Sequence, residues 1–330
     1  MFYHRCWTVV IAHNEKTSIG GTVMKQPSAI KLCEVGLRDG LQNECTQLAT
    51  EEKIRILREL IDAGFRVIEV GSFMHPKAVP QMADTDEVFR AIGDVPGVEL
   101  RALIPNLRGV QRAIDCGCKK VKLNVSASRQ HNLKNLNMTP EQSVAGFAPC
   151  VEAAQNAGIE ISGSISMPFA SVWEGVTPQE TVDSIIEAYL DVGIQEISLS
   201  DASGMATPVQ VGQMCRHVQE KYPQASWWLH FHNTRGLAMA NLIAAMDAGM
   251  TQFDTSFGGL GGCPFVPGAA GNLSTEDVIH MCDESGIETG VDILKIMELS
   301  RRLQTLLGHN LESYILRAGR SADLIAANQL

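Results

Sequence analysis

Nothing in this sequence pairs its cysteines. Nine are scattered along the chain with no Cys-x-x-Cys spacing, an odd count without a framework. That excludes a disulfide-stapled scaffold and a tetrahedral zinc knuckle, and it places the thiols, reduced, in a cytosol-like compartment. The sequence also has no run of about 18 apolar residues, so no transmembrane helix is expected. A basic excess is missing too: Lys and Arg total 27 against 37 Asp and Glu, for a net charge of −10. Nucleic acid and anionic membranes are therefore excluded as main partners, although one locally positive pocket for a phosphorylated ligand is not. Finally, no Gly-x-Gly-x-x-Gly follows the first strand-like run, which argues against a dinucleotide-binding fold. The apolar stretch Cys6–Ala12 is too short for a signal sequence and runs into His13-Asn14-Glu15-Lys16. We read residues 1–28 as an extension outside the fold and 29–330 as one domain.

What is present is a regular alternation. Strand-like runs occur at 29–35, 66–71, 99–104, 120–125, 160–167, 196–200, 226–232 and 252–257. Helix-like segments lie between them at 50–63, 80–91, 107–116, 139–157, 177–192, 208–222 and 234–248. Several of these end on the same signal, Ala63-Gly64, Cys116-Gly117, Ala157-Gly158, Val192-Gly193 and Ala248-Gly249. Glycine just past a helix relieves the left-handed turn that terminates it. Eight strand–helix units predict an α/β fold, a (β/α)8 TIM barrel, with a doubly wound open sheet as the competitor. From about residue 291, Ile293, Ile296, Met297, Leu303 and Leu307 recur at helical spacing and predict added C-terminal helices.

In a barrel, chemistry gathers at the C-terminal ends of the strands. The first strand runs into Gly36-Leu37-Arg38-Asp39-Gly40-Leu41-Gln42-Asn43-Glu44, where adjacent Arg38 and Asp39 suit an anion and a cation in one pocket, or form an ordinary surface pair. Glu69 interrupts an apolar strand, and a buried carboxylate needs partners. It either pairs with Arg38 or orients a ligand. The seventh strand ends Leu229-His230-Phe231-His232-Asn233. Side chains two apart on a strand share a side, so His230 and His232 face one pocket at a spacing that grips a cation. Asp39 belongs beside them, because only the eighth strand separates the first from the seventh in a closed barrel.

The loop Gly258–Asn272 holds six glycines and two prolines in fifteen residues. It is a shaped connection that either cradles phosphate or covers the site as a lid. Asn272 at its end can add an amide oxygen to Asp39, His230 and His232. That mixed N/O set suits Mg²⁺, Mn²⁺ or a similar divalent ion.

These segments together, with Ser72-Phe73, Pro76-Lys77, Val79-Pro80-Gln81-Met82 and Thr275-Glu276-Asp277, resemble the 3-hydroxy-3-methylglutaryl-CoA lyase family from about Ile30 to Leu307. The resemblance implies a metal-dependent retro-Claisen cleavage giving acetyl-CoA and acetoacetate, as in leucine degradation. It implies Asp39, His230, His232 and Asn272 as ligands of Mg²⁺ or Mn²⁺. Arg38 would stabilise the thioester enolate, Cys263 would protonate the carbanion, His230 would serve in proton transfer, and Glu69 would orient Arg38. Arg38, Gln42, Ser72 and Asp201 would bind an acyl-CoA. A homodimer in the cytoplasm, or in the mitochondrial matrix of a eukaryote, completes what it implies. Two segments depart from the family: Ile165–Gly175 after the fifth strand, and Asp201-Ala202-Ser203-Gly204, where Ala202 replaces an expected threonine. These departures keep open a related tertiary 3-hydroxyacyl-CoA, such as citramalyl-CoA or a longer-branched glutaryl-CoA. A synthase condensing acetyl-CoA with a 2-oxo acid uses similar groups, and a non-catalytic metal-binding barrel is the third reading.

Overall fold

The computed structural model describes residues 26–262 and 270–323. Its centre is a closed barrel of eight parallel strands. These are β1 (Lys31–Glu34), β2 (Val67–Ser72), β3 (Glu99–Ile104), β4 (Lys120–Ser126) and β5 (Glu160–Ser166), followed, past the small hairpin β6 (Ala170–Ser171) and β7 (Gly175–Val176), by β8 (Glu196–Asp201), β9 (Ser226–Phe231) and β10 (Gln252–Thr255). Round the barrel the order is β1-β10-β9-β8-β5-β4-β3-β2, so β10 alone separates β1 from β9, as expected.

The connections are α1 (Thr50–Asp62), α2 (Thr85–Ile92), α3 (Leu107–Cys116), α4 (Arg129–Leu136), α5 (Pro140–Ala145), α6 (Phe147–Asn156), α7 (Gln179–Asp191), α8 (Pro208–Lys221), α9 (Ala238–Asp247) and α10 (Thr275–Ser285). The added helices are α11 (Ile293–Leu307) and α12 (Tyr314–Ala318). They are held by polar contacts as well as packing. Asp277 of α10 accepts from Ser313 Oγ at 2.9 Å and Ile315 N at 2.9 Å, while Arg302 of α11 pairs with Glu52 and Glu59 of α1. No helix among the described residues is long and apolar enough to cross a membrane.

Three elements differ from expectation, each for a local reason. The expected helix at 139–157 is two, because the chain turns at Gly146 and restarts with Pro149 in the first turn of α6. The expected helix at 80–91 is a single turn at Pro80–Met82 before α2 begins at Thr85. Helix α4 and the β6–β7 hairpin carry no apolar period. The helix starts where Ser128 Oγ accepts from His131 N at 3.1 Å. Glu174 ties the hairpin to it, accepting from Ser128 Oγ at 2.6 Å and Gln130 N at 3.0 Å.

The main core lies between strands and helices, with Leu57, Ile68, Val110, Val121 and Leu229 among its fully buried members. Inside the barrel only Cys33, Val35, Val67 and Trp228 form an apolar plug. Above it the interior is charged. Lys122 reaches across to Glu69 Oε2 at 2.7 Å and Asp254 Oδ2 at 3.2 Å. The mouth at the strands' C-terminal ends thus stands on an ion-pair network instead of aliphatic layers.

Candidate active site

Immediately after β1 the chain makes one π turn over Gly36–Gly40, in which Arg38, Asp39 and Gly40 all donate their N–H to Val35 O. Such turns widen a helix by one residue and re-aim side chains. Here Arg38 points across to Glu69 on β2 and back to Asp39, pairing with both. Glu69 is fully buried and shared between Arg38 and Lys122, so the expected pairing with Arg38 holds. Burial opposes its ionisation, but those two cations keep its carboxyl below the ordinary range.

His230 and His232 come from β9 and its end, both 4 % exposed. Asp39 Oδ2 lies 3.8 Å from His230 Nε2 and 3.4 Å from His232 Nε2. One ligand atom from each of the three falls within 4.8 Å of the others. On its far side His230 Nδ1 meets Asp254 Oδ2 at 3.2 Å, which fixes the ring and turns Nε2 toward Asp39. Burial works against ionised Asp39, yet the Arg38 guanidinium, then His232 and His230, hold its carboxyl well below the usual range. It is therefore a carboxylate at every physiological pH.

Asn272 arrives because the chain after the glycine-rich loop bridges back to His232, and Leu273 N bonds Phe231 O at 3.0 Å. Its Nδ2 donates to Asp39 Oδ2 at 2.7 Å, and its Oδ1 is buried without a partner. Two glycines allow this closeness. A Cβ on Gly261 (φ +98°) would sit 2.6 Å from both Asn272 Nδ2 and Asp39 O, and one on Gly271 would sit 1.6 Å from Gly259 O.

A carboxylate, two imidazole nitrogens facing it, and an unpartnered amide oxygen beside them make a buried mixed N/O donor set. It fits a divalent cation with room for substrate oxygens.

An open cavity of about 780 Å³ covers these groups. Arg38, Asp39, Gln42, His230 and His232 line it, as expected. Ser72 and Asp201 do not. Ser72 Oγ is turned into its own loop and accepts from Met74 N at 3.3 Å. Asp201 is fully buried and spends both oxygens on the β8–α8 connection, accepting from Ser203 Oγ at 2.9 Å and Ala206 N at 2.9 Å. Both sit at strand ends, where substrate contacts were expected, but their polar atoms hold the loops behind the wall. Cys263 lies outside the described residues. The reading of the sequence missed Lys122 and Asp254, which anchor Glu69 and His230. Both showed the same signal as Glu69, a charge within an apolar strand.

The comparisons agree with this geometry. Residues 29–303 match the HMGL-like family model. The chain is 38 % identical to hydroxymethylglutaryl-CoA lyase YngG of Bacillus subtilis over 91 % of its own length and 100 % of that protein. It is 38 % identical to the human mitochondrial hydroxymethylglutaryl-CoA lyase over 92 % of each. A solved HMG-CoA lyase from Acinetobacter baumannii, in complex with coenzyme A and 3-methylmalate, superposes with a TM-score of 0.87 at 44 % identity, covering 90 % of this chain and 97 % of that one. Carrying the Arg38–Asp39 turn, the His230–His232 pair and the barrel that brings them together, the chain belongs to the hydroxymethylglutaryl-CoA lyase family of carbon–carbon lyases.

Proposed function

We propose that this protein cleaves a 3-hydroxy-3-methylglutaryl-CoA-like thioester between C2 and C3, giving acetyl-CoA and acetoacetate. The observation that carries the reading is the convergence of Asp39, His230 and His232 on one point beside the Arg38 guanidinium, in one cavity. The Acinetobacter relative's complex with coenzyme A and 3-methylmalate, a hydroxy dicarboxylic acid, supports a thioester of the same class.

Asp39, His230, His232 and Asn272 would hold Mg²⁺ or Mn²⁺, which when bound supplies Lewis acidity toward the C3 hydroxyl and neighbouring oxygens. Arg38, fixed by Glu69 and Asp39, donates hydrogen bonds to the thioester oxygen as negative charge gathers there. The C3 hydroxyl proton leaves to His230 Nε2, and the Asp254 carboxylate at Nδ1 stabilises the resulting imidazolium. Cation binding and proton uptake use the same lone pair, so His230 serves them in turn. The C2–C3 pair becomes the enolate, and the Cys263 thiol returns a proton to C2. Gln42, on the cavity wall, contacts the acyl chain. The same reading brings with it a homodimer through the C-terminal helices, a place in leucine degradation, and a cytoplasmic or matrix compartment. The seven described cysteines, all free, are in keeping with a reducing one.

The test is an acyl-CoA panel with Mg²⁺ or Mn²⁺, products read by mass spectrometry. Acetyl-CoA and acetoacetate are expected from the glutaryl thioester. Cys263→Ser and His230→Ala should each lower kcat at least tenfold, about 1.4 kcal/mol in barrier. If the enzyme turns over and neither change does so, the role assignment fails.

A further inference from the structure

The cavity has a second wall that the chemistry above leaves without a task. Asn124, Ser164, Ser166 and Ser200 line the same space as the cation donors. They come from β4, β5 and β8, three consecutive strands of the barrel. The register sets Asn124 beside Ser164, and Ser166 beside Ser200. Strand β5 lies four places from β1 in a ring of eight, so this shelf stands opposite Arg38 and Asp39.

All four side chains belong to residues more than nine-tenths buried, at 5 %, 6 %, 8 % and 8 % exposure. Ser166 Oγ donates to Asn124 Oδ1 at 3.0 Å, so Asn124 keeps its donor end, Nδ2, for the cavity. Among the described residues Ser164 Oγ and Ser200 Oγ have no hydrogen-bond partner. Buried hydroxyls are ordinarily satisfied, and these open toward the cavity instead. The shelf is neutral. Lys122, one pleat below Asn124, is committed to Glu69 and Asp254. Burial keeps His131, at the cavity's edge, uncharged, and Arg38 is the one permanently charged cation among the described lining residues.

Resting on the lyase reading, we propose that Asn124, Ser164, Ser166 and Ser200 form a neutral subsite for the oxygen-bearing arm at C3, and that the enzyme selects acyl chains whose arm ends in a carboxylate over those ending in alkyl. One amide N–H pair and rotatable hydroxyls supply donors to such a group without a counter-cation. An alkyl arm would strip water from the same donors and give nothing back, which is how polar pockets reject apolar analogues. The protein already holds one carboxylate in this manner. Glu34 is fully buried and accepts from Gly36 N at 2.7 Å, Phe257 N at 3.0 Å and Thr275 Oγ1 at 2.6 Å.

The experiment compares two 3-hydroxy-3-methylacyl-CoA thioesters that differ only at the end of the arm, carboxylate against methyl. The metal-loaded wild type and the Ser164→Ala/Ser200→Ala double variant are assayed in parallel. Wild type should prefer the carboxylate by about 100-fold or more in kcat/KM. The double variant should lose at least tenfold of that preference, through KM for the carboxylate substrate, while its Mn²⁺ affinity by electron paramagnetic resonance stays put. Equal use of both thioesters by wild type, or a preference unchanged in the variant, overturns the subsite. If wild type cleaves neither, the lyase reading has failed, and calorimetric dissociation constants of the intact thioesters decide the shelf. A tenfold loss for the carboxylate thioester alone, in the variant, supports it, and no loss overturns it.

Discussion

The two walls of the barrel mouth solve opposite electrostatic problems. The wall built by β1, β9 and the end of the loop after β10 is dense in charge, and its acids stay ionised. Asp39, Glu69 and Asp254 are buried, but neighbouring cations hold all three carboxyls below their usual range. The wall built by β4, β5 and β8 carries serines and an asparagine, and the one titratable group beside it, His131, is pushed by burial down to about 4. The first wall handles electron pairs and protons. The second can only recognise. A buried site gains from charge where charge develops in the reaction, and from neutral donors where the ligand brings its own.

Arg38 is where that contrast is most exposed to attack. Arg38→Gln removes the one guanidinium of the mouth and leaves Asp39 and Glu69 with fewer partners. Loss of a preorganised donor to a developing oxyanion costs about 10²–10³ in kcat. The change should also lower Tm, since Glu69 is fully buried and would keep only Lys122. A stopped assay for acetyl-CoA, with thermal unfolding alongside, separates the two effects. A kcat within tenfold of wild type would make the charged wall no more than scaffolding.

The next effect is smaller and bears on how the charged wall is held. Asp254 touches His230 at Nδ1, the nitrogen facing away from Asp39. Partners of this kind orient the ring and raise its basicity, and losing one costs about 10–100-fold in metal affinity. Asp254→Asn should weaken Mn²⁺ binding by that amount, measured by resonance titration, while Ser200→Ala on the opposite wall leaves it unchanged. Equal losses in both variants would erase the distinction between the walls.

The sequence discloses the two walls very unequally. The barrel follows from eight apolar runs separated by helices that end on glycine, because a parallel strand buried on both faces has little freedom in composition. His230 and His232 stand out because an i, i+2 pair on a strand must share a side. Glu69 stands out because a carboxylate in an apolar strand demands a partner. Lys122 and Asp254 make the same demand, but they lie below the strand ends where attention was fixed. Ser72 and Asp201 lie at those ends, yet hydrogen bonds to their own loops claim their polar atoms. Asn124 and the serines carry no such signal. Small polar residues are common at strand ends, and only closure of the barrel brings residues from β4, β5 and β8 to one face. Helix α4, short and without an apolar stripe, is set by its Ser128 cap and by the hairpin that Glu174 fastens to it.

The smallest expected effect tests the principle behind both walls on one strand. Glu34 ends β1, five residues before Asp39, and it too is buried. Its donors are neutral: two backbone N–H groups and the Thr275 hydroxyl. Burial raises its carboxyl from 4.5 to about 8, with those hydrogen bonds only partly opposing, and Glu276, held by Ser274, Ser300 and Gly258, rises likewise to about 7. A carboxyl whose pKa is raised on folding binds its proton more tightly in the native state than in the unfolded chain. Its contribution to stability is therefore full below the unfolded pKa and is lost as pH climbs through the folded one. For Glu34 that window runs from 4.5 to about 8. Glu34→Gln removes the titration while leaving an amide oxygen to accept hydrogen bonds. The fall in Tm between pH 6 and pH 8.5 should be shallower in Glu34→Gln than in wild type, and Glu276→Gln should flatten mainly the part below about 7. Scanning calorimetry across that range reads the difference. If the variant and wild-type curves run parallel, Glu34 is ionised despite its neutral donors, and a buried carboxylate in this protein needs no cation to keep its charge.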